Sequence, residues 1–157
     1  MTTAISSSDS PQRNLAELLR QALDQAPDAI LLADVAGVIR YWNRGAERLF
    51  GFSTAEALGA SLDLIIPERL RERHWQGYHR VMAGAPSRYG DDLLAVPALH
   101  QNGQQLSSEF SIVLLRDAAD APCAIAAILR DVSARHAREK NLRRKLTELE
   151  QQRGATR

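Results

Sequence analysis

The 157-residue chain has one cysteine, Cys123, and aromatic residues make up only 5% of it. A single thiol excludes an internal disulfide, so a reducing, cytoplasmic setting is expected. No apolar run approaches the roughly eighteen residues of a membrane span. The opening MTTAISSSDS also lacks the positive start and apolar centre of a signal peptide. The expected protein is therefore soluble, with no membrane contact. A strong excess of charge is missing too: 20 Lys and Arg against 19 Asp and Glu leave a net +1, which excludes strong whole-molecule steering toward a polyanion. Catalytic motifs are wanting as well. There is no GxSxG, HExxH, CxxC or phosphate-cradling glycine loop, and no autonomous enzyme is expected.

What the chain does contain is globular in character, with 45% hydrophobic and 25% charged residues and a length suited to one domain plus extensions. The most informative stretch is AILLADVAGVIRYWNRGAERLFGFSTAEALG, from Ala29 to Gly59. Ile30, Leu31 and Leu32 form an apolar run, Asp34 to Gly37 is turn chemistry, and Val38 to Trp42 is β-branched and aromatic. These features predict a β-hairpin. Asn43 is suited to cap the helix that begins at Arg44, with Ala46, Leu49 and Phe50 on one face and Gly51 as its stop. Ser53 with Glu56 three residues on has the spacing of a capping box.

Residues 1–13 read as a disordered leader. Residues 14–25 read as an amphipathic helix whose stripe of Leu15, Leu18, Leu19, Ala22 and Leu23 needs cover from the chain's own sheet or from a second copy. Leu62 to Ile66 is an apolar connector, and Pro67 opens a helix running to about Met82, ended by Gly84 and Pro86. Strands are predicted over Asp92 to Ala98, Gln105 to Leu115 and Pro122 to Asp131, with Pro97 marking an edge or a bulge. The expected fold class is α+β, a five-stranded antiparallel sheet with helices on one face, in a domain over residues 26–132. Residues 133–153 form a charged helix, followed by a tail at 154–157. Leu142, Leu146 and Leu149 give this helix a short heptad seam suited to a homodimer. From Arg135 to Arg157 there are eight Lys or Arg and three Asp or Glu, a net +5 (8 − 3). With no helix-turn-helix, zinc spacing or aromatic platform beside it, this reads as a solvated face and argues against nucleic acid.

The hairpin, the Trp42-Asn43 step, the Gly45-Ala46-Glu47-x-Leu49-Phe50-Gly51 helix, the Ser53-x-x-Glu56-x-x-Gly59 helix and the closing Arg130-Asp131-Val132-Ser133 together resemble the PAS sensory domains. The resemblance covers roughly Ala26 to Ser133, with Ser133 where the family usually has Thr. It implies a sensory and interaction module of intracellular signal transduction that senses a small ligand or a redox or gas signal and relays it through a dimeric C-terminal helix, with a ligand-free dimerisation scaffold as an alternative. A small-molecule ligand is a candidate, and so are a homodimer and a separate signalling protein, a kinase or another regulator, as partners. It also implies a pocket between the helices and the inner sheet face, for which Trp42, Tyr78, Leu94, Ile112 and Ile128 are candidate lining residues. Pockets and packed cores use the same apolar residues, so filling by side chains or by ligand stays open. Asp131 and Ser133 are the candidate relay from the last strand to the C-terminal helix.

His74, in Pro67-Glu-Arg-Leu-Arg-Glu-Arg-His74-Trp-Gln-Gly-Tyr78, has a sharper resemblance, to the haem-PAS domains of rhizobial oxygen-sensing kinases. It implies haem b as cofactor, with His74 as proximal iron ligand and no other metal site. The competing reading, in which His74 caps or packs within its helix, stays open. The match departs at Leu94, where those sensors carry an arginine. His79 lies five residues on, about 140° around the helix from His74, so both imidazoles cannot face one pocket. His100 and His136 read as surface residues. Cys123, between Pro122 and Ala124, lacks the Asn-Cys-Arg context of flavin-adduct photosensors. That argues against a flavin adduct and for a small strand residue.

Overall fold

A computed structural model describes residues 11–85 and 94–155. Eleven elements follow in order: α1 (Pro11–Gln25), β1 (Ala29–Asp34), β2 (Ile39–Trp42), α2 (Arg44–Phe50), α3 (Thr54–Ala57), a 3-10 turn (Leu62–Leu64), α4 (Glu68–Met82), β3 (Leu94–Leu99), β4 (Gln105–Arg116), β5 (Pro122–Asp131) and α5 (Ser133–Ala155). The strands form one antiparallel sheet in the order β2-β1-β5-β4-β3. This is the expected α+β fold. Helix α1 begins at Pro11 rather than at residue 14, since a first turn tolerates proline. The expected stop at Pro86 and the expected start of the third strand at residues 92 and 93 lie outside the described residues. Pro97 sits opposite Ser107 in β3, an edge strand, where a missing amide is tolerated.

Local chemistry sets the short helices. Asn43 accepts from the Ala46 amide at the start of α2, and Gly51 closes that helix in the left-handed conformation at φ 82°. Ser53 and Glu56 complete a reciprocal capping box at α3. In the hairpin turn, Asp34 Oδ1 accepts from the amides of Ala36 (2.9 Å) and Val38 (3.1 Å), and its carbonyl accepts from Gly37 (2.8 Å). Gly37 has φ 75°, and a Cβ there would lie 2.2 Å from the Trp75 ring, so only glycine lets α4 close on this turn.

The two sheet faces differ. Ile39 and Trp42 are three apart and would point to opposite sides of a regular strand, yet both are buried. A register shift opposite Leu32 and Ala33, which pair with Tyr41 and Ile39 in turn, brings both inward. Cross-strand rows then assign Ala29, Leu31, Ala33, Ile125, Ala127, Leu129, Phe110, Ile112 and Leu114 to the inner face, against α2 and α4.

Ile128 corrects the sequence reading. It pairs with Ile30 and Ser111 on the outer face and is 40% exposed, so it does not line the space that Trp42 and Ile112 face. All of β5 from Ala124 to Leu129 is apolar, so alternation could not tell its faces apart. Leu94 stands opposite Phe110 in β3, but its side chain, like that of Leu149 in α5, lies outside the described residues.

Candidate functional site

Helix α4 brings His74, Trp75 and Tyr78 to the side that meets the core. Tyr78 is 6% exposed and donates its hydroxyl to the Asp34 carbonyl at 2.6 Å. Burial, then the nearby Asp34 charge, pushes its phenol up to about 12, so it acts as a fixed donor. Trp75 donates Nε1 to Asp63 Oδ1 at 2.8 Å. The His74 ring is held edge-on by Trp75, with centroids 5.0 Å apart, and lies tilted on Tyr78 at 5.6 Å. Its Nδ1 is buried without a hydrogen-bond partner among the described residues. Burial pulls His74 below its ordinary 6.5, while the Asp63 carboxylate opposes the shift and His79 adds to it. The result is a neutral imidazole at neutral pH, with one nitrogen unspent.

An unspent nitrogen on a neutral, half-buried imidazole is the donor a haem iron takes, so His74 fits that group on donor chemistry. Trp42 and Ile112 belong to the same core as Tyr78, across from α4. His79 is exposed, with its ring stacked on that of Trp75 at 5.7 Å. His100 is not a free surface group: its ring covers Gly51, and its Nδ1 accepts from the Asn102 amide at 3.1 Å. Cys123 is a half-buried free thiol in β5.

The junction between β5 and α5 is the second constellation. Asp131 Oδ1 accepts from the Ser133 amide at 2.8 Å, at the first residue of the helix. The Val132 amide donates to the Ser107 carbonyl at 2.9 Å, and the Ser107 amide donates to Ser133 Oγ at 3.1 Å. The Ser133 hydroxyl thus takes the place of a strand carbonyl and extends the β4–β5 ladder by one bond. Val132 is 5% exposed and anchors the turn from below. Arg135 pairs with Glu109 of β4, fixing the first turn of α5 against the sheet.

Two further links tie α1 and β5 to this frame: the bonds that Asn43 makes beyond its expected helix cap, and an ion pair that the sequence reading did not single out. Asn43 is 1% exposed and uses every hydrogen-bonding position of its amide. Its Oδ1 accepts from Ile30 (2.9 Å) and Ala46 (2.8 Å), while Nδ2 donates to the carbonyls of Leu23 (2.9 Å) and Asp28 (3.0 Å). It thereby joins α1, β1 and α2. Close to it, Gly45 lets α2 approach: a Cβ there would lie 2.0 Å from the Asp28 carbonyl oxygen. A second link, Asp28 with Arg130, connects the start of β1 to the end of β5. No local signal announces a pair 102 residues apart.

Two surface grooves flank these links. One of about 510 Å³ lies between α1 and β2, lined by Arg20, Asp24, Arg40 and Tyr41 among others. One of about 260 Å³ lies beside Asp28, Gly45, Arg130 and Asp131. Neither is lined by His74. Among the described residues, no helix is long and apolar enough to cross a membrane.

With this geometry in hand, comparison with known proteins places the chain. The family described as PAS fold matches residues 23–137, and the chain belongs to that family of sensory domains. An uncharacterized protein of Azorhizobium caulinodans is 32% identical over 117 residues, 74% of this chain and 16% of that protein. The sensor protein FixL of Bradyrhizobium diazoefficiens is 43% identical over 56 residues, 36% of this chain and 11% of FixL. The chain thus spans a small part of the length of the curated relatives it matches. The crystal structure of a PAS domain from Colwellia psychrerythraea superposes with a TM-score of 0.67 at 23% identity, covering 76% of this chain and 98% of that one.

Proposed function

We propose that the chain is a homodimeric sensing module that passes a change in its core through the Asp131–Ser133 junction to α5, and from there to a separate signalling protein. The observation that carries this reading is the junction itself. The first amide of α5 is held by a carboxylate at the end of β5, while the adjoining Val132 amide and Ser133 hydroxyl are bonded to β4. A shift of β4 against β5 therefore acts directly on the first turn of α5, through bonds that only a few residues make. The similarity to part of a sensor protein supports a signalling context. The test is an inter-helix distance measured between spin labels at Gln151→Cys in a Cys123→Ser background. Asp131→Ala is expected to broaden or displace that distance, and an unchanged distribution sinks the relay.

A second reading is favoured by one specific observation, the buried Nδ1 of His74 without a partner. Here the chain is a haem-based gas sensor, with His74 holding the iron and Tyr78, Trp75, Trp42 and Ile112 contributing to the apolar surroundings. Haem iron, when bound, supplies an open coordination position for a diatomic gas. The chain's own part is to keep the imidazole neutral by burial and to fix its plane between Trp75 and Tyr78. An absorption spectrum after addition of haem is expected to show a saturable Soret band that His74→Ala abolishes. A spectrum without that band, or with one indifferent to His74, removes this reading and leaves the junction relay standing.

A further inference from the structure

Among the described residues, the hydrogen bonds from α1 to the rest of the molecule lie at its C-terminal end or just beyond it. Asn43 Nδ2 donates to the Leu23 carbonyl at 2.9 Å, the Tyr41 hydroxyl donates to Asp24 Oδ1 at 2.6 Å, and Arg48 reaches the Ala26 carbonyl at 3.3 Å. The last turns of α1 thereby form one wall of the groove of about 510 Å³, with β2, α2 and α3 as the other. That volume falls in the range of about 300–1,000 Å³ that small-molecule sites occupy.

The polar groups of this cleft are unevenly spent. Asp24 uses both oxygens on the protein, Oδ1 on Tyr41 and Oδ2 on Arg20 at 2.8 Å. Glu47 Oε1 accepts from the amide and the hydroxyl of Thr54, at 2.6 and 2.7 Å. Only Oε2 of Glu47 is then left as a carboxylate acceptor in the cleft. Donors are left in greater number. Arg40 gives Nε to Asp34 Oδ2 at 2.7 Å and keeps both terminal nitrogens, while the exposed Arg44 side chain makes no hydrogen bond or ion pair among the described residues. With Arg20 included, three arginines face two carboxylates across the cleft. A surplus of guanidinium donors and of positive charge is what an oxyanion requires. Beside these donors, the Tyr41 ring and Leu58, which is 45% exposed, supply apolar surface.

We propose that this cleft binds a small molecule carrying a phosphate or carboxylate on a flat apolar body. The oxyanion sits on the guanidinium groups of Arg44 and Arg40, and the body lies against Tyr41 and Leu58. The site is separate from the core that His74 faces, and it depends on neither the homodimer nor the relay proposed above. A ligand here touches both walls, so it braces α1 against the domain beyond the few bonds at the end of the helix.

Isothermal titration calorimetry of the full chain with phenyl phosphate and with benzoate tests the assignment, with inorganic phosphate and acetate as the bare anions. At least one aromatic probe is expected to bind saturably and more tightly than its bare anion, and the better of the two identifies the oxyanion. Arg44→Gln is expected to weaken that probe about tenfold or more. Leu58→Ala is expected to erase its advantage over the bare anion. Arg80→Gln removes an exposed arginine of α4 outside the cleft and is expected to bind as the wild type does. Arg44, Leu58 and Arg80 are all exposed, and circular dichroism should confirm that each variant keeps its fold. Amide hydrogen exchange along α1 should slow when the probe is added. Failure of both probes to bind, binding no tighter than that of the bare anions, or equal losses in Arg44→Gln and Arg80→Gln overturns the site. Binding that leaves α1 exchange unchanged does so too, because the ligand then lies elsewhere.

Discussion

Arg130 grips Asp28 with two parallel hydrogen bonds, Nε to Oδ1 at 3.0 Å and Nη2 to Oδ2 at 2.6 Å. The fork joins the residue before β1 to the penultimate residue of β5. It therefore connects the segment leaving α1 to the segment entering α5, one step from Asp131 at the relay junction. Its geometry is the planar match that distinguishes arginine from lysine at a carboxylate.

Arg130 is 69% exposed, so the pair is screened and its effect on stability should be small. Its effect should also be readable in acid. The hydrogen bond from Arg130 holds the Asp28 carboxyl below its ordinary 3.8, against the opposing effect of burial. A depressed carboxylate contributes stability that is present above its unfolded value and is lost as pH falls through its folded value. Urea unfolding of Asp28→Asn should show a small loss at neutral pH that shrinks in high salt and closes as pH falls below the ordinary 3.8 through the folded value. A difference that persists in acid would contradict the ion-pair account.

Asn43 should be far more costly to change. Asn43→Ala removes a helix cap and strands the buried groups at Ile30, Leu23 and Asp28. The expected loss is about 3 kcal/mol. Asn43→Asp keeps the acceptor but sets a carboxylate oxygen against the carbonyls of Leu23 and Asp28, so it should not rescue. Equilibrium unfolding with urea measures both. A loss below about 1 kcal/mol for alanine would mean that water satisfies the groups left behind.

Much of this architecture was legible because its determinants are local. The Ser53–Glu56 box, the Asn43 cap and the Asp131 carboxylate at a helix start lie within three residues of what they bond. The parts that were not legible depend on register or on distant segments. Arg40 sits at the irregularity in β2 that brings Ile39 and Trp42 to one face, and nothing in a four-residue strand announces it. Ile128 was assigned to the wrong face because β5 is apolar on both sides and only its pairing with Ile30 and Ser111 decides. The bond that Ser133 makes was not legible because its donor, the Ser107 amide at the open end of the β4–β5 ladder, lies 26 residues away in sequence. Of the candidate site, His74 could be singled out from its helix, but its orphaned nitrogen comes from packing against Trp75 and Tyr78, which spacing alone does not reveal.

That packing makes a prediction about pH. His74 is buried, and its imidazole titrates below the ordinary 6.5, lowered by desolvation and by His79 and partly restored by Asp63. The unfolded chain therefore binds the proton more readily than the folded one. The sign follows: His74 costs nothing above 6.5, and its protonation destabilises the fold progressively as pH drops from there toward the folded value. His74→Phe keeps a ring between Trp75 and Tyr78 but cannot take up a proton. Over the interval from about pH 7.5 to 5, the unfolding free energy of the wild type should fall more steeply than that of the variant, with the two profiles converging in slope at the alkaline end. Parallel profiles across the interval would show that His74 gains its proton as easily folded as unfolded. The buried Nδ1 would then have solvent access, and the imidazole would lose the enforced neutrality that makes it a candidate iron ligand.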